Sequence, residues 1–193
     1  LDAYFKKKQS SVQDISTDGT QLRIQDTTIN INQSPDIQYV PLKESAELVP
    51  ISRTLEDLER LAQAVELNDP VLLMGETGVG KTALIRYLAY LTKNAFRRFN
   101  LNGQTDKLEF IGGFKPTKDN LSKEAAKKIM FEWQNGILIQ AMEKGHWLVL
   151  DEINLAEPEV IERIRYLLEP KGTLRVSEHK AEQWIQAKDY DPM

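Results

Sequence analysis

An eight-residue glycine-rich run constrains this chain more than any other feature. It matches the pattern G-x-x-x-x-G-K-[ST] in full and comprises Gly75, Glu76, Thr77, Gly78, Val79, Gly80, Lys81 and Thr82. Glycines let the backbone wrap closely, so that successive N–H groups can point at one anion. The lysine of such a loop reaches the outer phosphates of a nucleotide, and the following hydroxyl ligates Mg²⁺. The run therefore predicts a site for the phosphates of a magnesium nucleotide.

The segments on either side of the loop are those that the motif requires. Val71 to Met74 is a short apolar run, which predicts a strand buried on both faces. Residues from Thr82 to Leu91 predict a helix, whose N-terminus adds partial positive charge beside the phosphates. A glycine-rich turn that matches by chance is the alternative, and this strand–loop–helix context argues against it.

A second apolar run, Trp147 to Leu150, predicts a strand and ends in the carboxylates of Asp151 and Glu152. Asp151 is predicted to hold Mg²⁺, directly or through water. Glu152 is predicted to orient and deprotonate an attacking water. An ordinary strand with an acidic turn would explain the pair if it stood alone, but a complete phosphate-binding loop precedes it. No N-K-x-D motif occurs in the chain, which argues against a Ras-type GTPase.

Apolar periodicity predicts the remaining elements of the second part of the chain. From Thr54 the spacing of leucines is helical, with Ser52 or Thr54 as N-cap, and Asn68-Asp69-Pro70 ends that helix. Another strand and two helices are predicted at residues 99–101, 137–143 and 158–168. Strands that alternate with helices indicate an α/β fold with a parallel sheet.

The first 45 residues differ in composition from the rest. They contain the run Lys6-Lys7-Lys8 and many Gln, Ser, Thr and Asn residues, which is typical of a solvated lead-in. Apolar residues alternate with polar ones on either side of residues 25–28, and this alternation predicts a β-hairpin. We accordingly divide the chain into a polar segment, residues 1–45, and a nucleotide-binding subdomain, residues 46–193.

Composition excludes several classes of function. The chain has no cysteine, which rules out disulfides, thiolate catalysis and zinc–thiolate sites. Its net charge of −4 gives no reason to expect nucleic acid or an anionic membrane as the main partner. No apolar run approaches the roughly 18 residues that a membrane-spanning helix needs. The chain begins with Leu1 and has no signal-peptide pattern, so we expect a fragment or a processed chain.

Three stretches together resemble the AAA+ superfamily, and within it the dynein-related, midasin-like branch with the MoxR-type ATPases nearby. The first is the loop at residues 75–82. The second comprises residues 100–106 with Ile111-Gly112-Gly113-Phe114-Lys115-Pro116. The third comprises residues 150–156 with Leu167-Leu168-Glu169-Pro170. The second and third separate this branch from other proteins with a phosphate-binding loop. The likeness covers residues 48–175 and says nothing of residues 1–45.

The resemblance implies a three-layer α/β/α P-loop NTPase fold and an ATP-driven, ring-forming remodelling machine. Its partners would be ATP, other AAA+ modules in a ring and a protein or complex as substrate, in the cytoplasm, or in the nucleus for a midasin-type protein. In this branch residues 131–136 would belong to a hairpin insertion that faces the pore or the substrate. Asn100 or Asn102, with Asn102 favoured, would restrain Glu152 until a partner binds, and residues 48–51 would contact the adenine.

The chain departs from the family pattern after Val176. The family continues with a strand bearing a polar sensor, an arginine that acts on the neighbouring module and a helical lid, and none is matched before Met193. We therefore expect an incomplete module that hydrolyses ATP weakly by itself. A non-hydrolysing, nucleotide-gated scaffold and a motor of a DNA-restriction or defence system remain alternatives.

His146, His179 and the pair Arg97-Arg98 are predicted to be surface residues.

Overall fold

The computed structural model describes residues 15–46, 48–49, 51–76, 78–105, 107–116, 131–168, 173–176 and 183–186. Contacts within the chain divide it into two units, residues 1–96 and residues 97–193. In the described ranges no helix is long and apolar enough to cross a membrane. The division at residue 96 separates the phosphate-binding loop from the Asp151-Glu152 pair along the sequence, and each unit is described by itself.

The first unit begins with a three-stranded antiparallel sheet. Its strands are β1 (Ile15–Thr17), β2 (Gln21–Ile24) and β3 (Thr27–Asn30), in that order across the sheet. In the β2–β3 hairpin Leu22 lies opposite Ile29, and Gln25 in the turn has a positive φ of 52°. The hairpin that alternation predicts is therefore present, with a third strand on its edge.

This sheet packs against α1 (Ser52–Glu66), the first long helix of the unit. Glu59 of α1 accepts hydrogen bonds at its Oε1 from the backbone N–H of Asp26, at 3.0 Å, and the hydroxyl of Thr27, at 3.2 Å. The buried side chains of the sheet and the helix are Leu22, Ile24, Ile29, Leu55, Leu58, Leu61 and Ala62, and Ile31, directly after β3, is also buried. The alternating apolar residues of the predicted hairpin thus share one face that the helix covers, whereas the run Lys6-Lys7-Lys8 of the predicted lead-in lies outside the described residues.

Truncating the sheet side of this core is expected to destabilise the first unit. Ile29 is 2% exposed, and replacing it with alanine should lower the free energy of unfolding by about 2–4 kcal/mol through lost burial and a new cavity. The matched control is Thr28→Ala, on the exposed face of the same strand, which should change it by less than about 0.5 kcal/mol. Urea unfolding followed by circular dichroism measures both. Equal values for the two variants would mean that the sheet contributes no core.

Helix α1 ends at a residue in the left-handed conformation. The N–H of Asn68 donates to Val65 O and that of Asp69 donates to Ala64 O, with Asn68 at a φ of 55°. These bonds satisfy carbonyl groups that a helix end leaves without partners, so the predicted stop after residue 67 is confirmed. The prediction of Ser52 or Thr54 as N-cap is wrong: Ile51 holds that position and makes no side-chain capping bond.

The predicted strand at residues 71–74 is not formed. These residues have no regular secondary structure, and the side chains of Val71, Leu72 and Met74 are 43%, 69% and 85% exposed. A strand needs a neighbouring strand for its backbone N–H and C=O groups, and none of the described ladders includes this run. Its apolar character indicates a preference for burial, which does not by itself supply a pairing partner.

The second unit contains the strand pair that carries the carboxylates. Strand β4 (Phe96–Asn100), whose first residue belongs to the first unit, lies parallel to β7 (Trp147–Asp151). The helices α4 (Ile137–Lys144) and α5 (Pro158–Leu167) lie on either side of β7 in sequence, as the periodicity predicts. The core of this unit consists of Leu101, Phe110, Ile111, Leu138, Ile139, Met142, Val160, Ile164, Leu174 and Val176.

Two further antiparallel pairs complete the second unit. Strand β5 (Gly112–Pro116) pairs with β6 (Phe131–Asn135), and the single-turn helix α3 (Lys107–Phe110) precedes them. Residues 131–135 thus belong to a β-hairpin, as the resemblance implies. Strand β8 (Thr173–Val176) pairs with β9 (Gln183–Gln186). His179, predicted to be a surface residue, lies outside the described residues.

His146 is a buried residue, with only 9% of its surface exposed. Its backbone N–H donates to Ala141 O at 2.9 Å, next to Gly145, which ends α4 in the left-handed conformation. The prediction of a solvated histidine is wrong, because the chain turns directly from the helix end into β7 at this point.

Candidate nucleotide-binding site

The phosphate-binding loop of the first unit has the backbone that its glycines predict. Gly78 and Gly80 have φ angles of 85° and 88°, in the left-handed region that other residues rarely adopt. Gly80 is the N-cap of helix α2 (Lys81–Leu91), and its carbonyl accepts the N–H of Leu84 at 2.9 Å. The helix therefore starts at the last glycine of the motif, so its N-terminus, with its partial positive charge, lies at the loop.

Lys81 folds back over this loop. Its Nζ donates to Gly75 O at 2.7 Å and to Glu76 O at 2.8 Å. These acceptors are neutral carbonyls, whereas the ligand oxygens of a nucleotide phosphate are charged and bind an ammonium more strongly. The described loop residues other than Lys81 and Thr82 are exposed, so the loop presents its backbone to solvent. Thr77 lies outside the described residues.

The segment that the resemblance assigns to the adenine precedes α1. Val49 is 76% exposed and Ile51 is 54% exposed, and the N–H of Ile51 donates to Val49 O at 2.9 Å in a tight turn. Exposed aliphatic side chains of this kind can cover one face of a base. Their assignment to the adenine remains a prediction.

In the second unit the chain bends sharply at the end of β7. Asp151 is the last residue of the strand, and Glu152 follows with φ 55° and ψ 41°, in the left-handed region. For a residue other than glycine this conformation costs about 1–3 kcal/mol, and residues held in it are enriched at functional sites, although Gln25 and Asn68 adopt it in a turn and at a helix end. The Glu152 carbonyl accepts the N–H of Leu155 at 2.8 Å in a following 3₁₀ turn, and its side chain is exposed.

The neighbouring strand supplies two partners for Asp151. The backbone N–H of Leu101 donates to Asp151 O at 2.9 Å, and Nε of Arg98 forms an ion pair with Asp151 Oδ2. Arg97 points elsewhere and donates from Nη1 to Gln140 Oε1 at 3.1 Å, because consecutive strand residues alternate between faces. Arg98 is exposed, as predicted, but its contact with the carboxylate that is assigned to the metal was not foreseen from the sequence.

The two asparagines considered as restraints on Glu152 occupy different positions. Asn100 is the last residue of β4. Asn102 lies in the following turn, where its Oδ1 accepts the N–H of Gln104 at 2.8 Å, and its own N–H donates to Thr105 Oγ1 at 2.8 Å. The side-chain oxygen of Asn102 is therefore committed to its own loop.

The residues assigned to the metal have the chemistry of a magnesium site. Thr82 supplies a hydroxyl in the first turn of α2, and Asp151 supplies a carboxylate that is 21% exposed. Mg²⁺ takes oxygen ligands and is commonly held by one or two protein groups together with phosphate and water oxygens. No group of three or more His, Asp or Glu side chains that could hold a metal occurs among the described residues.

Comparison with known families identifies the fold. Residues 70–188 match the model of the AAA domain, dynein-related subfamily. The chain belongs to this family. The AAA domain has the α/β fold of P-loop NTPases, and the parallel strands β4 and β7 agree with it. The predicted fold class and branch are therefore confirmed, and the chain is a nucleotide-binding AAA module.

Curated relatives place this AAA domain near the midasins. It is 37% identical to midasin of Dictyostelium discoideum over 128 residues, which are 66% of this chain. It is 33% identical to midasin of Giardia intestinalis over 125 residues, which are 65% of this chain. An uncharacterized protein of Staphylococcus aureus strain USA300 is 38% identical over 96 residues, 50% of this chain and 35% of that protein. The match spans only 2% of the length of each midasin.

Proposed function

We propose that this AAA domain binds Mg²⁺-ATP and hydrolyses it. The observation that carries the proposal is the loop at residues 75–82, whose left-handed glycines lead into a helix headed by Lys81. Backbone N–H groups at such a helix start form an anion site. All eight residues, Gly75, Glu76, Thr77, Gly78, Val79, Gly80, Lys81 and Thr82, are assigned to the phosphates.

Thr82 and Asp151 are the proposed protein ligands of the metal. When bound, Mg²⁺ would supply positive charge that offsets the negative charge developing on the phosphate oxygens. The hydroxyl of Thr82 and the carboxylate of Asp151 hold and orient that charge, directly or through water. The ordered end of β7, which is joined to β4 through Leu101, supports a fixed position for Asp151 within its own unit.

Glu152 is the proposed general base for the attacking water. Its side chain is exposed, so water reaches it, and its left-handed backbone turns the side chain away from the direction that a continuing strand would give. A carboxylate within hydrogen-bond reach of water accepts its proton and contributes about 10²–10⁴ in rate. A non-hydrolysing scaffold has no use for such a group, which is why we favour hydrolysis over that alternative.

Asn100 is the proposed restraint on Glu152, in preference to Asn102. It ends the strand next to β7, whereas the Asn102 oxygen already accepts the N–H of Gln104. Asn100→Ala should therefore change the ATP turnover rate with little change in stability. Asn102→Ala should lower the free energy of unfolding by about 0.5–1.5 kcal/mol, the contribution of one hydrogen bond, with turnover largely kept. Phosphate release and urea unfolding of both variants test this assignment, and the opposite pattern would return the role to Asn102.

The larger assembly is proposed from the relatives. Similarity to midasins supports a module that works beside other AAA domains in a ring and acts on a protein or a protein complex. We propose a cytoplasmic location, or a nuclear one if the parent protein is a midasin. A DNA-directed motor is the alternative. The net charge of this chain is −4, which argues against direct contact between this chain and DNA.

Calorimetry and phosphate release decide between binding with hydrolysis and binding alone. Mg²⁺-ATP and a non-hydrolysable analogue should both bind the chain with one site per molecule. Phosphate release should then be measured with protein in excess over ATP, so that a slow single turnover is detected. Binding without any release would support the scaffold, and the absence of binding would contradict the proposal.

A further inference from the structure

The ion pair between Arg98 and Asp151 involves the carboxylate that the proposed function assigns to the metal. Arg98 lies on β4 and Asp151 at the end of β7, and the two strands are neighbours in one sheet. Nε of Arg98 donates to Oδ2 of Asp151, with the two side chains 52% and 21% exposed. The guanidinium therefore contacts a carboxylate oxygen that could otherwise be a ligand of a metal ion.

The surrounding backbone holds this contact in place. Leu101, three residues after Arg98, donates its N–H to the carbonyl of Asp151 itself. The arginine side chain and the backbone bond thus join the same two strands at the same end. Arg97 is excluded from this position because it faces the opposite side of β4 and donates to Gln140. The alternation of side chains along β4 therefore places Arg98, and not Arg97, next to Asp151.

A guanidinium and a divalent cation cannot both use this carboxylate fully. The guanidinium of Arg98 is positively charged and donates to a carboxylate oxygen, so it competes with a metal ion for Asp151. Mg²⁺ also demands near-ideal geometry and gives up its water reluctantly, so an occupied carboxylate oxygen raises the concentration of metal that is required. Exposure of the arginine leaves its side chain room to move aside when the metal arrives.

We propose that Arg98 is a positioning residue that occupies Asp151 until the magnesium nucleotide displaces it. This inference rests on the proposed function, because it takes Asp151 as a metal ligand. Arg98 keeps the carboxylate oriented and its charge compensated in the empty site. It thereby sets the magnesium concentration at which the module takes up Mg²⁺-ATP.

The test is a magnesium titration of nucleotide binding, which does not depend on turnover. A fluorescent ATP analogue at fixed concentration is titrated with Mg²⁺ in the presence of wild type or Arg98→Gln. The variant should reach half-maximal binding at about two- to fivefold lower Mg²⁺. This shift corresponds to about 0.4–1 kcal/mol at 1.4 kcal/mol per tenfold, in the range measured for exposed ion pairs. Affinity for the metal-free analogue, measured with a chelator, should be unchanged.

Two further variants make the result specific. Arg97→Gln removes the same charge from the adjacent position and should leave the magnesium midpoint unchanged. Arg98→Lys keeps the charge without the Nε donor, so its midpoint should lie between those of wild type and Arg98→Gln. It also serves as the test variant if circular dichroism shows that Arg98→Gln does not fold.

The outcomes separate this inference from the proposed function. A wild-type chain that shows no magnesium-dependent binding overturns the proposed function itself. Magnesium-dependent binding with an equal or higher midpoint in Arg98→Gln overturns only the role of Arg98. Weaker binding of the metal-free analogue by that variant also overturns it, because Arg98 would then contact the phosphates and not compete for Asp151.

Discussion

Replacing Lys81 with alanine is expected to raise the Kd for Mg²⁺-ATP by about 10- to 150-fold, the factor that corresponds to losing a charged hydrogen bond of about 1.5–3 kcal/mol. The fold should survive, because the bonds that the Lys81 ammonium donates, to Gly75 O and Glu76 O, lie within its own loop. Their loss does not break a contact between distant elements. Helix α2 keeps its start at Gly80, and alanine is a better helix former than lysine. The loss should therefore appear in binding and not in stability.

Calorimetric titration with Mg²⁺-ATP measures this change, and thermal unfolding followed by circular dichroism checks the fold. Lys43→Ala is the matched control, since Lys43 is an exposed lysine of the same unit and its removal changes the net charge equally. We expect the control to bind like wild type. An unchanged Kd in Lys81→Ala would show that the loop is not the phosphate site, whereas a parallel loss in the control would indicate a long-range charge effect.

Elements with a local signal were predictable from the sequence. Helices α4 and α5 begin at Ile137 and Pro158, where apolar spacing places them. Strand β7 begins at Trp147, at the start of its apolar run. The left-handed glycines of the phosphate-binding loop follow from a motif whose chemistry requires them. In each case neighbouring residues along the chain carry the information, so no knowledge of distant contacts is needed.

Features that depend on distant partners were not predictable in the same way. Glu59 of α1 binds the turn at Asp26 and Thr27, and nothing in either segment alone names the other. The same holds for Arg98, whose partner Asp151 is 53 residues away along the chain. At residues 71–74 the local signal was misleading. The apolar composition of this run predicted a strand, but no described strand pairs with it.

The choice between Asn100 and Asn102 involves a local signal of another kind, the chemistry of turns. Asparagine side chains often accept the backbone N–H two residues ahead, and threonine side chains cap turns in a related way. The order Asn102-Gly103-Gln104-Thr105 is suited to such a turn, and the structure contains both bonds. The sequence analysis favoured Asn102 as the restraint on Glu152. Our proposal of Asn100 instead comes from the structure, in which this turn occupies the Asn102 side chain.

Removing the charge of Glu152 is expected to reduce ATP turnover by about 10²–10⁴, the usual contribution of a general base, while Mg²⁺-ATP still binds. Glu152→Gln keeps the size of the side chain but cannot accept the proton of water. The measurement is phosphate release with protein in excess, together with calorimetric binding of the same variant. Glu157→Gln is the control, since Glu157 lies just before α5 and is not one of the residues assigned to the nucleotide, the metal or the attacking water. Equal turnover in Glu152→Gln and wild type would remove Glu152 from the mechanism.

The backbone at Glu152 provides an independent readout of the same assignment. Its φ of 55° costs a glutamate more than it costs an asparagine, because asparagine enters the left-handed region several times more often. The free energy of unfolding of Glu152→Asn should therefore exceed that of Glu152→Gln by up to about 1 kcal/mol, although both variants should hydrolyse ATP much more slowly than wild type. Urea unfolding compares the two. A strained residue whose replacement improves stability but lowers turnover is kept for its chemistry, whereas equal stability of the two variants would mean that the bend after β7 stores no strain.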